Sequence, residues 1–123
     1  MEDKQESVIH QLQQILPNAW SIESSSKWSI NNPAKGQCGV TSLVVNDLLG
    51  GEVLRTRIEE SWHYYNQIDG KVCDLTASQF SEPITYMNIP SSREEAFSDT
   101  NEEQYQYLKS KVDKLMNKQN GEI

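Results

Sequence analysis

The sequence predicts an α+β domain in which a central helix packs on a small antiparallel sheet, with one helix before this unit and one after it. Two observations carry this prediction. Apolar residues recur at helical spacing over residues 3–16, 38–49 and 101–118. Between the last two segments, runs of strand-forming residues flank Asp69-Gly70, a dipeptide that favours the two-residue turn of a β-hairpin.

Length and charge limit the partners that the chain can have. The 123 residues suit one domain, which we expect to span residues 1–118, followed by a frayed tail at 119–123. The chain carries 11 basic and 18 acidic residues, for a net charge of −7. Nucleic acids and anionic membranes bind clustered Lys and Arg, so we expect neither as a partner. The oligomeric state is left open.

The N-terminus and the hydropathy pattern predict a cytoplasmic protein. No apolar run is long enough to span a bilayer. The first seven residues are polar and of mixed charge, unlike the basic start and apolar stretch of a signal peptide. In a reducing compartment a structural disulfide between Cys38 and Cys73 is not expected, so a thiol is available for chemistry.

The first helix, predicted over residues 3–16, has an apolar stripe and ends at Pro17-Asn18. The stripe consists of Val8, Leu12, Ile15 and Leu16, widened by Ile9. A loop rich in turn-forming residues follows over residues 18–37. Its two indole side chains, Trp20 and Trp28, predict that the loop packs against the domain.

The second helix, predicted over residues 38–49, is apolar around more of its circumference than the first, which predicts deeper burial. Gly50-Gly51 supplies its C-terminal stop. A first strand is expected at residues 52–58.

A β-hairpin is the clearest local prediction. Residues 61–68 and 71–76 form its strands, and a further strand is expected at residues 84–87. The last helix, residues 101–118, is predicted to begin with a capping box made by Thr100 and Glu103.

Cys38 stands where the loop ends and the second helix begins. The N-terminus of a helix has unpaired N–H groups and the positive end of the helix dipole, and both favour a thiolate. The same N–H groups can stabilise an oxyanion that forms on a substrate. Gln37 and Asn32 are candidate side-chain donors to that oxyanion, and the sequence does not choose between them.

The hairpin brings His63 and Asp74 to one face. If Asp69-Gly70 forms the turn, Tyr65 lies opposite Asp74 and His63 lies opposite Thr76, with all four side chains on the same face. His63 and Asp74 are then diagonal neighbours, about 7–8 Å apart at the backbone. A carboxylate at this position can fix the imidazole tautomer while the other ring nitrogen accepts a proton from a thiol. Cys38, His63 and Asp74 therefore predict a catalytic triad.

Cys73 is expected on the opposite face of the hairpin, as a small buried apolar residue. A zinc site made by Cys38, His63, Asp74 and Cys73 is the competing interpretation. It is disfavoured because the sequence has no closely spaced pair of Cys or His residues and because Cys73 and Asp74 point to opposite faces of the hairpin. We expect neither a metal nor a cofactor.

The segment from His63 to Thr76 resembles the His-to-Asp hairpin of the transglutaminase-like superfamily, in which the Asp begins an Asp-x-Thr motif, here Asp74-Leu75-Thr76. Cys38 matches the nucleophile position of that superfamily. Gly39 stands where a Trp often follows the nucleophile. The resemblance implies a papain-like or transglutaminase-like fold and a thiol mechanism.

The chain is also similar to the YunG-like family of small bacterial proteins. The matching stretches are residues 32–41 and 62–66, Asp74-Leu75-Thr76 and Gln79-Phe80, within residues 28–80. This resemblance implies membership of that family and no particular activity.

Two functions follow from these residues. The first is a thiol-dependent hydrolase or acyltransferase, in which Cys38 attacks a protein or small-molecule amide or thioester, His63 moves the proton and Asp74 orients His63. The second is a non-catalytic protein-binding module on the same scaffold, whose acidic surface would suit a basic partner.

Overall fold

The computed structural model describes residues 4–119 and Gly121, which form four α-helices around a small antiparallel sheet. In chain order, the elements are α1 (Lys4–Ala19), α2 (Cys38–Leu49), β1 (Glu52–Ile58), β2 (Ser61–Ile68), β3 (Lys71–Cys73), β4 (Ile89–Pro90), α3 (Arg93–Phe97) and α4 (Glu102–Gln119). A 3-10 turn occupies Ala77–Gln79. The predicted α+β class is confirmed.

The sheet has the order β3-β2-β1-β4, and every neighbouring pair of strands is antiparallel. Asp69 and Gly70 have φ angles of 53° and 78°. Both lie in the left-handed region that the two-residue hairpin turn requires. The pairing of Asn66 with Cys73 follows from this turn, and the predicted register of the hairpin is confirmed.

Helix α2 packs on one face of the sheet, chiefly against β2. Its first eight residues are all buried, as the apolar pattern predicts. Asn66 donates its side-chain amide to the Ser42 carbonyl across 3.0 Å, which fixes β2 against the helix. Helices α1 and α4 pack against each other, and α4 also contacts α2. One apolar core therefore joins the three long helices to this face.

The opposite face of the sheet is covered by the chain between Thr76 and Ile89. Thr56 Oγ1 donates to the Thr85 carbonyl at 2.8 Å and accepts from the Met87 amide at 3.0 Å. This segment crosses β1 through side-chain hydrogen bonds, so the strand predicted at residues 84–87 is wrong. A two-residue strand, β4, pairs with β1 further along the chain.

Two other predicted boundaries differ. β3 ends at Cys73 instead of residue 76, because Asp74 Oδ1 accepts from the backbone amide and the hydroxyl of Thr76 and turns the chain out of the ladder. Helix α1 continues through Pro17 to Ala19. Ala19 and the next residue, Trp20, are buried, and this burial holds the last turn in place.

The C-terminal half contains a short helix, α3, that the sequence did not indicate; the hydroxyl of Ser92 caps it by accepting from the Glu95 amide. The cap of α4 is Asn101, whose side chain accepts from the Gln104 amide, and not Thr100. The tail predicted to fray begins with Gln119, which still belongs to α4. Apart from Gly121, the rest of that tail lies outside the described residues.

Among the helices that the structure describes, none is both long enough and apolar enough to cross a bilayer.

Candidate active site

His63 and Asp74 form a buried pair. Strand β2 carries His63, and Asp74 follows the last residue of β3. The His63 Nε2 lies 2.7 Å from Asp74 Oδ2, and the two side chains are 2% and 4% exposed. Because an ionised carboxylate only accepts hydrogen bonds, Nε2 carries the proton. In a neutral ring Nδ1 is then the acceptor, and it is buried without a hydrogen-bond partner among the described residues.

A cavity of about 500 Å³ opens beside this pair. It lies between the start of α2, the β1–β2 hairpin and the connection between α3 and α4. Its walls are formed by Lys27, Lys35, Gly36, Cys38, Ile58, Glu59, Ser61, Trp62, His63, Tyr64, Gln79, Phe80, Ser98 and Asp99. Cys38 and His63 therefore line the same cavity, while Asp74 stands behind His63.

Cys38 is the first residue of α2 and is 7% exposed. Its Sγ donates to Asp99 Oδ2 at 3.5 Å, and within residues 4–119 no hydrogen bond joins Cys38 to His63. Burial, followed by the negative charge of Asp99, raises the pKa of the Cys38 thiol to about 12, although a hydrogen bond from the Tyr64 backbone lowers it. The thiolate that the helix start was expected to favour is therefore disfavoured in this structure.

Asp99 is the residue of the site that the sequence did not reveal. It is exposed at the rim, yet its Oδ2 reaches inward to accept from the Gly39 amide at 3.1 Å. Burial of this carboxylate raises its pKa, while the hydrogen bonds from Cys38 and Gly39 lower it. Sixty-one residues separate Asp99 from Cys38, so no local spacing relates them.

Gly39 is the residue whose presence in the sequence indicates that Asp99 lies close to the backbone of α2. A Cβ at Gly39 would lie 2.7 Å from Asp99 Oδ2 and 2.9 Å from the Ala96 carbonyl oxygen. A buried helical position that requires Gly marks a place where another segment lies against the helix backbone. The same contacts explain why no Trp follows the cysteine here.

The two predicted oxyanion donors are engaged elsewhere. Gln37 is fully buried, its Oε1 accepting from the Ser24 hydroxyl at 2.8 Å and its Nε2 lying 3.5 Å from the Ser21 carbonyl. Asn32 donates its side-chain amide to the Gln79 carbonyl at 3.0 Å. Neither side chain is part of the cavity wall. The donors that do lie at Cys38 are the backbone amides of Gly39 and Tyr64.

A family model described as "YunG protein" matches residues 8–117, a span that contains Cys38, His63, Asp74 and Asp99. The chain belongs to the YunG family. It is 57% identical, over 103 residues, to the "Uncharacterized protein YunG" of Bacillus subtilis (strain 168), and the match covers 84% of this chain and 90% of that relative. No solved structure matches the chain.

The second cysteine of this YunG family member lies apart from the first. Cys73 is buried, as predicted, and lines a separate cavity of about 210 Å³ between α1 and β3. Burial and the charge of Asp74 raise the pKa of its thiol to about 11. Both cysteines are free thiols. Within the described part of the chain, no three His, Cys, Asp or Glu residues are grouped so that they could hold a metal ion, which gives the zinc interpretation no support.

Proposed function

We propose that Cys38, His63 and Asp74 act as a thiol triad that cleaves an amide or thioester and passes the acyl group to water or to an amine. The observation that carries the proposal is the state of His63. Its Nε2 is held by Asp74, whereas its Nδ1 has no hydrogen-bond partner in the described part of the chain, and the residue lines the cavity that contains Cys38. A buried polar atom left without a partner is costly, and a role in catalysis is one of the explanations for such an atom.

The fold supports the proposed thiol triad. A helix that begins with the cysteine packs on an antiparallel sheet, and the hairpin of that sheet supplies the histidine and the aspartate. This arrangement is the one expected of the papain-like or transglutaminase-like kind, and we propose that relationship for the YunG family. The Asx turn at Asp74, in which Oδ1 accepts from the Thr76 backbone amide, holds the carboxylate in position beside His63.

The reaction would proceed in two steps. Cys38 gives its proton to His63 Nδ1 as Sγ bonds to the carbonyl carbon, and the amides of Gly39 and Tyr64 hold the oxyanion. The C–N or C–S bond then breaks, and His63 returns the proton to the departing amine or thiol. Water or an acceptor amine next attacks the thioester on Cys38 and gives a proton to His63. The acid or the new amide leaves as Sγ takes that proton back.

A non-catalytic protein-binding module is the second candidate, and one observation favours it. The raised pKa of Cys38 and its hydrogen bond to Asp99 describe a thiol that is protonated at neutral pH. Such a thiol is a weak nucleophile. Under this alternative the cavity would bind a partner, and Cys38 would be a packing residue.

Acylation by a simple thioester separates the two functions. Wild-type protein incubated with S-phenyl thioacetate and quenched in acid should carry one acetyl group on the Cys38 peptide, with release of thiophenol. Cys38→Ser should carry none, and the Cys73 peptide of the wild type serves as the internal control for non-specific reaction. Acetylation of Cys38 no faster than that of Cys73 would favour the binding module.

A further inference from the structure

The Asp99 carboxylate occupies the position in which an oxyanion would bind after attack by Cys38. Its Oδ2 lies 3.1 Å from the Gly39 amide nitrogen and 3.5 Å from Cys38 Sγ. An oxyanion formed by attack of Sγ would bind the N–H groups at the start of α2, beside the sulfur. One oxygen of Asp99 already sits there, as an oxyanion would.

A second observation points to a ligand at this site. His63 is 2% exposed, and its Nδ1 has no hydrogen-bond partner among the described residues. The positive charge of Lys27, which lines the same cavity, acts on Asp99. The cavity therefore has a donor at the helix start, an unused ring nitrogen and a nearby cation, and only the donor is occupied.

We propose that Asp99 is a displaceable carboxylate that keeps the site closed in the free protein, and that a substrate opens it by putting its own carbonyl oxygen on the Gly39 amide. The identity of the incoming oxygen rests on the proposed function, whereas the closure of Cys38 by Asp99 can be measured without any reaction on a substrate.

The place of Asp99 in the chain suits such a displacement. Asp99 lies in the short connection between α3 and α4, at the rim of the cavity, and its neighbour Ser98 is exposed. Rotation of one exposed side chain would remove the carboxylate from the Gly39 amide without moving a helix. Release would also take a negative charge away from the thiol and free the positive end of the α2 dipole.

The test is the rate at which iodoacetamide alkylates Cys38 at pH 7, followed by mass spectrometry of the Cys38 and Cys73 peptides separately. Asp99→Ala should raise the Cys38 rate at least about tenfold, since each pH unit by which the thiol pKa falls gives tenfold more thiolate. The Cys73 rate should stay unchanged. Asp99→Asn should raise the Cys38 rate less, because its amide oxygen can still accept from Gly39.

Two controls sharpen this experiment. Asp113→Ala removes the same charge from an exposed position on α4 and should leave both rates unchanged. Added sodium formate should slow alkylation of Cys38 in Asp99→Ala by refilling the vacated position, with sodium chloride at equal ionic strength having no such effect.

An unchanged or slower Cys38 rate in Asp99→Ala would overturn the proposal. Equal acceleration of Cys38 and Cys73 would overturn it too, since Asp99 would then support the fold instead of closing the site.

The outcome is distinguishable from that of the proposed function. If Asp99→Ala speeds alkylation but S-phenyl thioacetate acetylates Cys38 in neither protein, the closure stands and the catalytic triad is rejected. If the wild type is acetylated as fast as Asp99→Ala, the triad stands and the closure is rejected.

Discussion

Tyr86 donates its hydroxyl to Oδ2 of Asp74 across 2.8 Å, and this is the same oxygen that accepts from His63. Asp74 is thereby held from three directions, because its Oδ1 also accepts from Thr76. A carboxylate fixed by so many donors cannot swing away from the imidazole. Tyr86 is therefore a positioning residue for the His63–Asp74 pair, and it also packs edge-on against Tyr65.

Tyr86→Phe should reduce stability while keeping this ring contact. A hydrogen bond to a charged group contributes about 1.5–3 kcal/mol, and its loss leaves Asp74 with fewer donors. The free energy of unfolding, measured by urea denaturation at pH 7, should fall by about 1–2 kcal/mol. Tyr107→Phe is the matched control: its side chain is half-buried on α4, and its loss of the hydroxyl should change stability by less than about 0.5 kcal/mol. Equal effects of the two variants would show that the Asp74 contact is unimportant.

The hairpin could be predicted from the sequence because local rules determine it. Asp69-Gly70 specifies one turn, the turn specifies the register, and side chains alternate along paired strands. The proximity of His63 to Asp74 follows from those rules alone, although Asp74 itself lies beyond the end of β3. The start of α2 at Cys38 was equally readable, since a loop of turn-forming residues meets a continuous apolar run there.

Tyr86 and Asp99 could not be predicted in the same way. Both lie in segments whose backbone bonds to side chains or forms short turns, so no period of two or of 3.6 marks their position. Their contacts are decided by how the chain after Thr76 crosses the sheet and how α3 meets α2. The expectation of an ionised Cys38 did not allow for burial of the thiol, nor for the Asp99 carboxylate that reaches the start of α2 from the connection between α3 and α4.

Stability should fall at alkaline pH because of Cys38. Its pKa is about 12 in the folded protein, against an ordinary thiol value of about 9. Above pH 9 the unfolded chain loses the thiol proton while the folded chain keeps it, so the unfolded state binds fewer protons and stability declines as pH rises. The limiting slope is about 1.4 kcal/mol per pH unit for one such group.

The measurement is urea denaturation of the wild type and Cys38→Ser at pH 7, 8, 9 and 10. Serine keeps a donor for Asp99 and does not ionise in this range. The stability of the wild type relative to Cys38→Ser should therefore be constant below pH 8 and should fall by about 1 kcal/mol between pH 9 and 10. A constant difference up to pH 10 would mean that the folded thiol ionises normally.

Gly39→Ala should destabilise the protein although alanine is the better helix former. The new Cβ would lie 2.7–2.9 Å from Asp99 and from the Ala96 carbonyl oxygen. Forcing a methyl group into such a place costs about 1–3 kcal/mol, which exceeds the gain in helix propensity of about 1 kcal/mol. Thermal melts should show a lower midpoint for Gly39→Ala than for the wild type. Ser110→Ala, at an exposed position on α4, should leave the midpoint unchanged or raise it. A higher midpoint for Gly39→Ala would show that α3 is free to move away from α2.

Substitutions of His63 separate its chemistry from its packing. The side chain is almost fully buried and lies against Phe80 and Tyr65. His63→Ala would leave a cavity and should cost about 2–4 kcal/mol, so a loss of reactivity in that variant would say little about catalysis. His63→Gln fills most of the volume, and its amide can still donate to Asp74, but it has no group that accepts a proton from the thiol.

If His63 moves the proton, the free energy of unfolding of His63→Gln should lie within about 1 kcal/mol of the wild-type value. S-phenyl thioacetate should acetylate Cys38 about a hundredfold more slowly in this variant. The Cys73 peptide, examined in the same digests, reports any general opening of the fold. Acetylation of Cys38 in His63→Gln at the wild-type rate would remove His63 from the mechanism, and the buried pair with Asp74 would then be a structural feature of the hairpin. A hundredfold loss without a change in stability has no explanation in packing, because the residues around the ring stay in place.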